Sequence, residues 1–389
     1  MLSRVISAAA ELTALAVLVA VTVVIAASDG IPHDALATRI VTSLKPAAGE
    51  RVLLRYDPNT LGALEPVLRA KLEAAGAKVE SLRYGAAPEL AAKLANTDVY
   101  IWLPSASDAD TPADQRALLA KWLDEGRGRQ IHFHWNGGTR NVDGLEGTHS
   151  AAYDRVYADA LNIDYAALKQ QQDAAIAALR GGDVHVTTPA GTDLTFRVGD
   201  RPFNRQDGDA SKARMASAKT RVDREIELPA GVIRVAPIEE SVSGVLVIPS
   251  ARFSASSAAV TAGSSARGET EVTGIRLEFE KGKIVRASAK SGEAALKTFI
   301  ASAPGASQFR EFGLGFNPKL VVPNGQTFLP YYGYGAGIVR LSLGDNFEVG
   351  GAVRGGGVRW MFFPDTTVRV GNTVIVANGK LVSSANSSR

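Results

Sequence analysis

The chain has 389 residues, 46% hydrophobic and 21% charged, with 43 Lys and Arg against 40 Asp and Glu and a formal net charge of +3. That length allows two domains of ordinary size, and so slight a positive excess gives no footprint for nucleic acid, which needs a concentrated basic patch. The absence of cysteine excludes disulfides, a Cys-type zinc site and a thiol nucleophile.

Met1 to Arg4 is short and basic, Leu12 to Ala27 is apolar, and the small residues Ala26-Ala27-Ser28 precede Asp29. This is the anatomy of a signal peptide cleaved near Ser28. The alternative is an uncleaved membrane anchor, since Val5 to Ala10 can extend the span to about 20 residues. Glu11 would then be buried, at roughly 2.5–3.5 kcal/mol near a helix centre and less near the interface. Either way residues 1–28 imply export to the periplasmic or extracellular side, with membrane contact if the segment is retained. No cysteine follows to carry a lipid.

Residues 29–48 read as a linker or first helix. Strands are then predicted at Arg51–Tyr56, Ala77–Leu82, Asp98–Leu103 and Gln130–Trp135, alternating with helices at Leu61–Ala75, Pro88–Ala95 and Pro112–Glu125. Near-continuous apolar strands in βαβα order indicate an open, mostly parallel sheet covered on both faces. Thr111-Pro112-Ala113-Asp114 supplies a helix start. Helices at Ala151–Leu161 and Tyr165–Arg180 follow, and Gly181-Gly182 stops the second. Beyond that the pattern is β-rich, with a hairpin at Asp183–Val198 turning at Pro189–Thr192, strands at Arg276–Phe279 and Lys283–Ala287, and a helix at Gly292–Ser302. Arg205–Arg221 and Ser250–Gly268 read as loops. The expected organisation is an α/β domain over 29–182, a β-rich α+β domain over 183–382, and a tail over 383–389.

Chemistry-bearing residues gather late in the chain. Arg310-Glu311-Phe312-Gly313-Leu314-Gly315, Val339 to Asn346 and Val358-Arg359-Trp360-Met361, with Leu228 to Val232, Gly231 to Gly244, Gly191 to Phe196 and Pro364 to Gly379, form an ordered series. This series resembles the thermophilic-type metalloaminopeptidases, the aminopeptidase T and S group. The resemblance implies a two-metal site of Glu, Glu, His, His and Asp that hydrolyses the N-terminal residues of peptides with Zn, Co or Mn, in a homodimer. The matching positions here are Val232, Glu311, Arg340, Arg359 and Met361, so Glu311 alone retains its ligand. A guanidinium has no lone pair to give, and a thioether suits these metals poorly. In a strand Arg359 and Met361 share a face. Arg340 and Arg359 are then expected to fill the metal cavity as counter-ions to Glu311; the plainer alternative is two exposed strand arginines.

Two other sets are candidate ligands. His132 and His134 alternate on the fourth strand, where open α/β sheets bind ligands, with His149 beyond a loop and Asp57 at the end of the first strand. Glu239-Glu240 is a second carboxylate pair. The glycines Gly333 to Gly337 lack the following helix of a dinucleotide loop, and Gly-X-Ser-X-Gly is absent. The expected function is an exported aminopeptidase-like protein with an eroded metal site, binding peptide termini or small anions. The alternatives are an active metalloaminopeptidase and a scaffold at the membrane surface.

Overall fold

The structure is a computed structural model that describes residues 31–85, 87–104, 113–135, 150–254 and 269–382. The expected leader at 1–28, most of the loop at 250–268, His149 and the tail lie outside the described residues.

The first layer is a parallel sheet. Arg51–Tyr56 is flanked by Lys78–Arg83 on one side and by Val99–Trp102, then Arg129–Phe133, on the other. Its inner strands Arg51–Tyr56 and Val99–Trp102 and their neighbour Arg129–Phe133 are largely buried on both faces, whereas the edge strand Lys78–Arg83 is largely exposed. Val52, Leu54, Val99 and Ile101 pack with Leu36, Ile40, Leu64 and Leu68 of the helices His33–Leu44 and Leu64–Ala74. Leu53, Tyr100 and Trp102 pack with Leu90, Leu94, Leu119 and Trp122 of the helices Ala87–Leu94 and Ala113–Asp124. A fifth parallel strand, Glu225–Leu228, comes from the part of the sequence read as β-rich. The chain thus crosses back into the first layer, and local pattern carries no mark of that.

The β-rich part holds two antiparallel sheets. The large one has eight strands and includes the hairpin Val184–Thr187 with Asp193–Phe196, and the long pair Ser243–Ser254 with Glu269–Glu280. The small one runs Arg359–Phe363, Val339–Leu343, Phe309–Gly315, Val232–Val235, Asn204–Gln206. Ser250–Ser254 is therefore strand rather than loop, and Arg205 lies in an edge strand followed by the short helix Lys212–Met215. The hydrogen bonds of Asn204 and Gln206 to Val222 and Glu225 tie down this polar stretch.

Buried contacts join the layers. Arg129 pairs with Glu50 at 2.5 Å and donates to the Ala210 carbonyl at 2.6 Å. Asn317 donates to the carbonyls of Ala160 and Ala230 at 3.1 and 2.8 Å. The glycine run Gly333–Gly337 has a packing role: a Cβ on Gly315 would lie 2.1 Å from the Gly335 carbonyl and 2.7 Å from that of Gly333. Glycine lets this loop lie against the strand.

Candidate functional site

The small sheet decides which residues meet. Gly313 stands opposite Arg234 on one neighbour and Arg340 on the other, and Arg340 stands opposite Phe362. Opposed residues share a face, and faces alternate along a strand. One face therefore carries Arg234, Glu311, Gly313, Arg340, Ser342, Trp360 and Phe362. The other carries Phe312, Leu314, Leu341, Arg359 and Met361, against the large sheet, where Phe312 lies 5.5 Å from Phe196. A β-bulge between Phe309 and Glu311 makes this possible. Without the extra residue Phe309 and Glu311 would point the same way; with it, Phe309 joins the apolar face at 6.0 Å from Phe196 and Glu311 faces the ionic side.

Glu311 is fully buried and held by three guanidinium groups. Arg234 donates to its Oε2 at 2.9 Å, Arg310 donates to the same oxygen, and Arg340 lies 2.9 Å from Oε1 in an ion pair without hydrogen-bond alignment. Gly313 leaves room for this: a Cβ there would sit 3.3 Å from the Arg340 Cβ and 3.4 Å from its Nε. The network continues through Glu348, which accepts from Arg310 and, at 3.0 Å, from Arg221. Arg221 also lies 3.5 Å from Asp124. Burial pushes the Glu311 carboxyl pKa up, but Arg234, Arg310 and Arg340 outweigh it and hold it far below its ordinary value. Burial likewise opposes the Arg234 charge, and Glu311, with Tyr334 and Glu348, more than restores it.

Of the sequence-predicted positions, Val232 and Arg340 lie on the Glu311 face. Arg359 and Met361 do not. Arg359 is buried, its guanidinium 5.4 Å from the Phe253 ring on the large sheet. It is neither a counter-ion to Glu311 nor an exposed edge residue. On that strand the site face presents Trp360 and Phe362, one position away from each expected residue, and a slip of one residue reverses faces. Arg234, Arg310 and Glu348 escaped the sequence reading. The available signal was an arginine interrupting the otherwise apolar Val232–Val235.

Glu239 accepts from Arg201, from Asn346 at 3.0 Å and from the Ala352 backbone at 2.8 Å, while Glu240 is exposed. Glu239 thus organises a loop. His132 and His134 do share a face, their rings 4.0 Å apart. His132 lies 3.1 Å from Glu225. Burial, then His132, depresses the pKa of His134 well below its ordinary value. Beside them the hydroxyls of Tyr331 and Tyr334 both donate to Glu227, Tyr334 at 2.7 Å. Asp57 accepts from Asn59 and Thr60 in the turn after the first strand.

The donor set around Glu311 does not fit a divalent metal. At about 5 Å and an effective dielectric near 20, each guanidinium would cost such an ion roughly 6–7 kcal/mol. Among the described residues no three His, Asp or Glu side chains are placed to hold a metal.

The architecture joins a parallel sheet with helices to a strand-rich part of antiparallel sheets. Residues 164–329 match the model of the thermophilic metalloprotease family, M29. Wild-type AmpT from Thermus thermophilus is 18% identical, with a TM-score of 0.57 over 90% of this chain and 99% of that one. The 2,5-dihydroxypyridine dioxygenase from Pseudomonas putida KT2440 is 17% identical, with a TM-score of 0.56 over 90% and 96%. No curated protein matches. The family resemblance read from the sequence therefore holds over a stretch that includes Glu311 and ends before Arg340. At these identities the structural likeness is one of fold, and its two examples bear unlike names, so the chemistry must be argued from the site.

Proposed function

We propose that this chain is an exported aminopeptidase-like protein in which an arginine–glutamate cluster replaces the metal centre. It does not hydrolyse peptides by metal chemistry and instead binds peptide termini or other small anions. The observation that carries this reading is that Glu311, the position that the resemblance matches to a metal ligand, is engaged by Arg234, Arg310 and Arg340. A carboxylate so compensated has little attraction left for a cation. The arginines keep the buried charge paired, a structural duty that a metal would otherwise perform.

The test is to supply the purified protein with Zn, Co or Mn and measure both bound metal and hydrolysis of a leucyl peptide. Neither is expected above background. Near-stoichiometric metal with hydrolysis that Glu311→Gln abolishes would overturn the proposal in favour of an active metalloaminopeptidase, the reading that the family match favours. Export is tested by locating the protein in fractionated cells and finding its mature N-terminus. Release only by detergent would favour a retained anchor and a role at the membrane surface.

A further inference from the structure

Where the small sheet meets the C-terminal end of the parallel sheet, six side chains form a closed circuit. The His134 ring lies 4.5 Å from Tyr331, which lies 4.5 Å from Tyr334. The Arg340 guanidinium is 5.8 Å from the Tyr334 ring and 5.4 Å from that of Trp360. Trp360 is 5.4 Å from Tyr332, which returns to His134 at 5.6 Å. Three members carry buried polar atoms with neither a hydrogen bond nor an ion pair: Arg340 Nε, Trp360 Nε1 and His134 Nδ1. Buried polar groups are ordinarily satisfied, and an orphan is costly. Three on one circuit, two of them obligate donors, point to a missing polar partner that can accept.

Backbone strain falls at the same place. Tyr331 and Tyr332 adopt φ of 37° and 43°, in the left-handed region that L side chains avoid. Such strain gathers at ligand clamps. The ion-paired network holds Arg221, Arg234, Arg310 and Arg340 against Asp124, Glu311 and Glu348, and Glu227 beside the tyrosines brings the count to four against four, so it is the circuit's open N–H groups rather than a net charge that favour an acceptor. Glu227 stands beyond the tyrosines, occupied by their hydroxyls.

We propose that this circuit binds a small molecule or chain end that carries both a carboxylate and an aromatic ring. The carboxylate accepts from the N–H groups of Arg340 and Trp360, the charge-assisted geometry that guanidinium favours. The ring packs against Trp360 and Tyr332, which are half-buried and so form the accessible side. His134, kept neutral by its burial, offers Nδ1 to a second polar group. Two sources share this chemistry: a free aromatic acid and the C-terminal aromatic residue of a peptide. The inference rests on the reading of an anion-binding shell and specifies its ligand.

The test titrates the chelator-treated full chain calorimetrically with benzoate, with N-acetylphenylalanine and with benzamide. One or both acids should bind saturably, and which one does identifies the source; benzamide should not bind. Trp360→Phe keeps the ring, loses the N–H and should weaken binding about tenfold. In the unaltered protein the Trp360 indole N–H resonance should move during the same titration, a readout that needs no variant. The proposal fails if neither acid binds, if benzamide binds equally well, or if that resonance and the affinity of Trp360→Phe are both unmoved. Because chelator is present, a metal-dependent hydrolysis found elsewhere would defeat the preceding reading without altering this result.

Discussion

The two faces of the small sheet are built from the same strands but held together by different forces. On one, Phe312, Leu314, Leu341 and Met361 bury against the large sheet. On the other, three arginines and two glutamates stabilise one another across the same backbone. The apolar face gains from any good packing, since dispersion and burial are non-directional. The ionic face holds only while its charges balance, because a buried ion left alone loses far more than the pair had gained. Conserving volume is thus enough at Phe312, Leu314, Leu341 and Met361, whereas the ionic face must conserve charge.

The sharpest way to break that comparison is Glu311→Ala. It strands Arg340, leaves Arg234 and Arg310 to share Glu348, and is expected to destabilise the protein by about 3–5 kcal/mol, measured by denaturant unfolding. Leu341→Ala, on the opposite face of the neighbouring strand, should cost about 2–5 kcal/mol but leave the pH dependence of stability unchanged.

The pH dependence separates the faces further. The Glu311 pKa is depressed in the folded protein relative to its ordinary 4.5, so below that value the unfolded chain takes up the proton first. The stabilisation is complete above pH 4.5 and is lost progressively as pH falls below it. Glu348 adds to the loss in the same direction, because burial raises its pKa but Arg310, Arg234 and Arg221 outweigh that. Acid unfolding of the wild type should therefore be steeper than that of Glu311→Gln, as followed by circular dichroism.

Next in size is a test of the faces by metal. Arg359→His with Met361→Asp supplies the two ligand types that the resemblance implies there and should add no measurable Zn affinity in a competition assay, because neither side chain points toward Glu311. A gain would mean that both side chains reach the Glu311 face. The smallest effect is expected at the exposed pair Lys169–Asp173, 2.7 Å apart on one helix. Lys169→Ala should change stability by no more than about 0.5 kcal/mol.

Much of the first layer was legible because its signals are local. Arg51–Tyr56 and Ala151–Leu161 match their predicted limits; a continuous apolar run and a 3.6-residue repeat need no distant partner to be read. Glu225–Leu228 was not placed in the parallel sheet, since its neighbour His132 lies far away in sequence. At the site, Glu311 and Arg340 were picked out by type and do meet. Arg359 was placed with them because a sequence match is indifferent to which side of a strand it lands on. Arg234 was passed over because its company is apolar in sequence and ionic in space.

By itself, the sequence determined the alternation of strand and helix, the change to a β-rich texture and the family resemblance. Tertiary structure alone decided how the arginines are used. Strand register has a period of two, and the bulge beside Glu311 turns Phe309 and Glu311 to opposite faces. One extra residue thus determines which charges are brought together and compensated, and which side chains are sealed into the apolar sandwich.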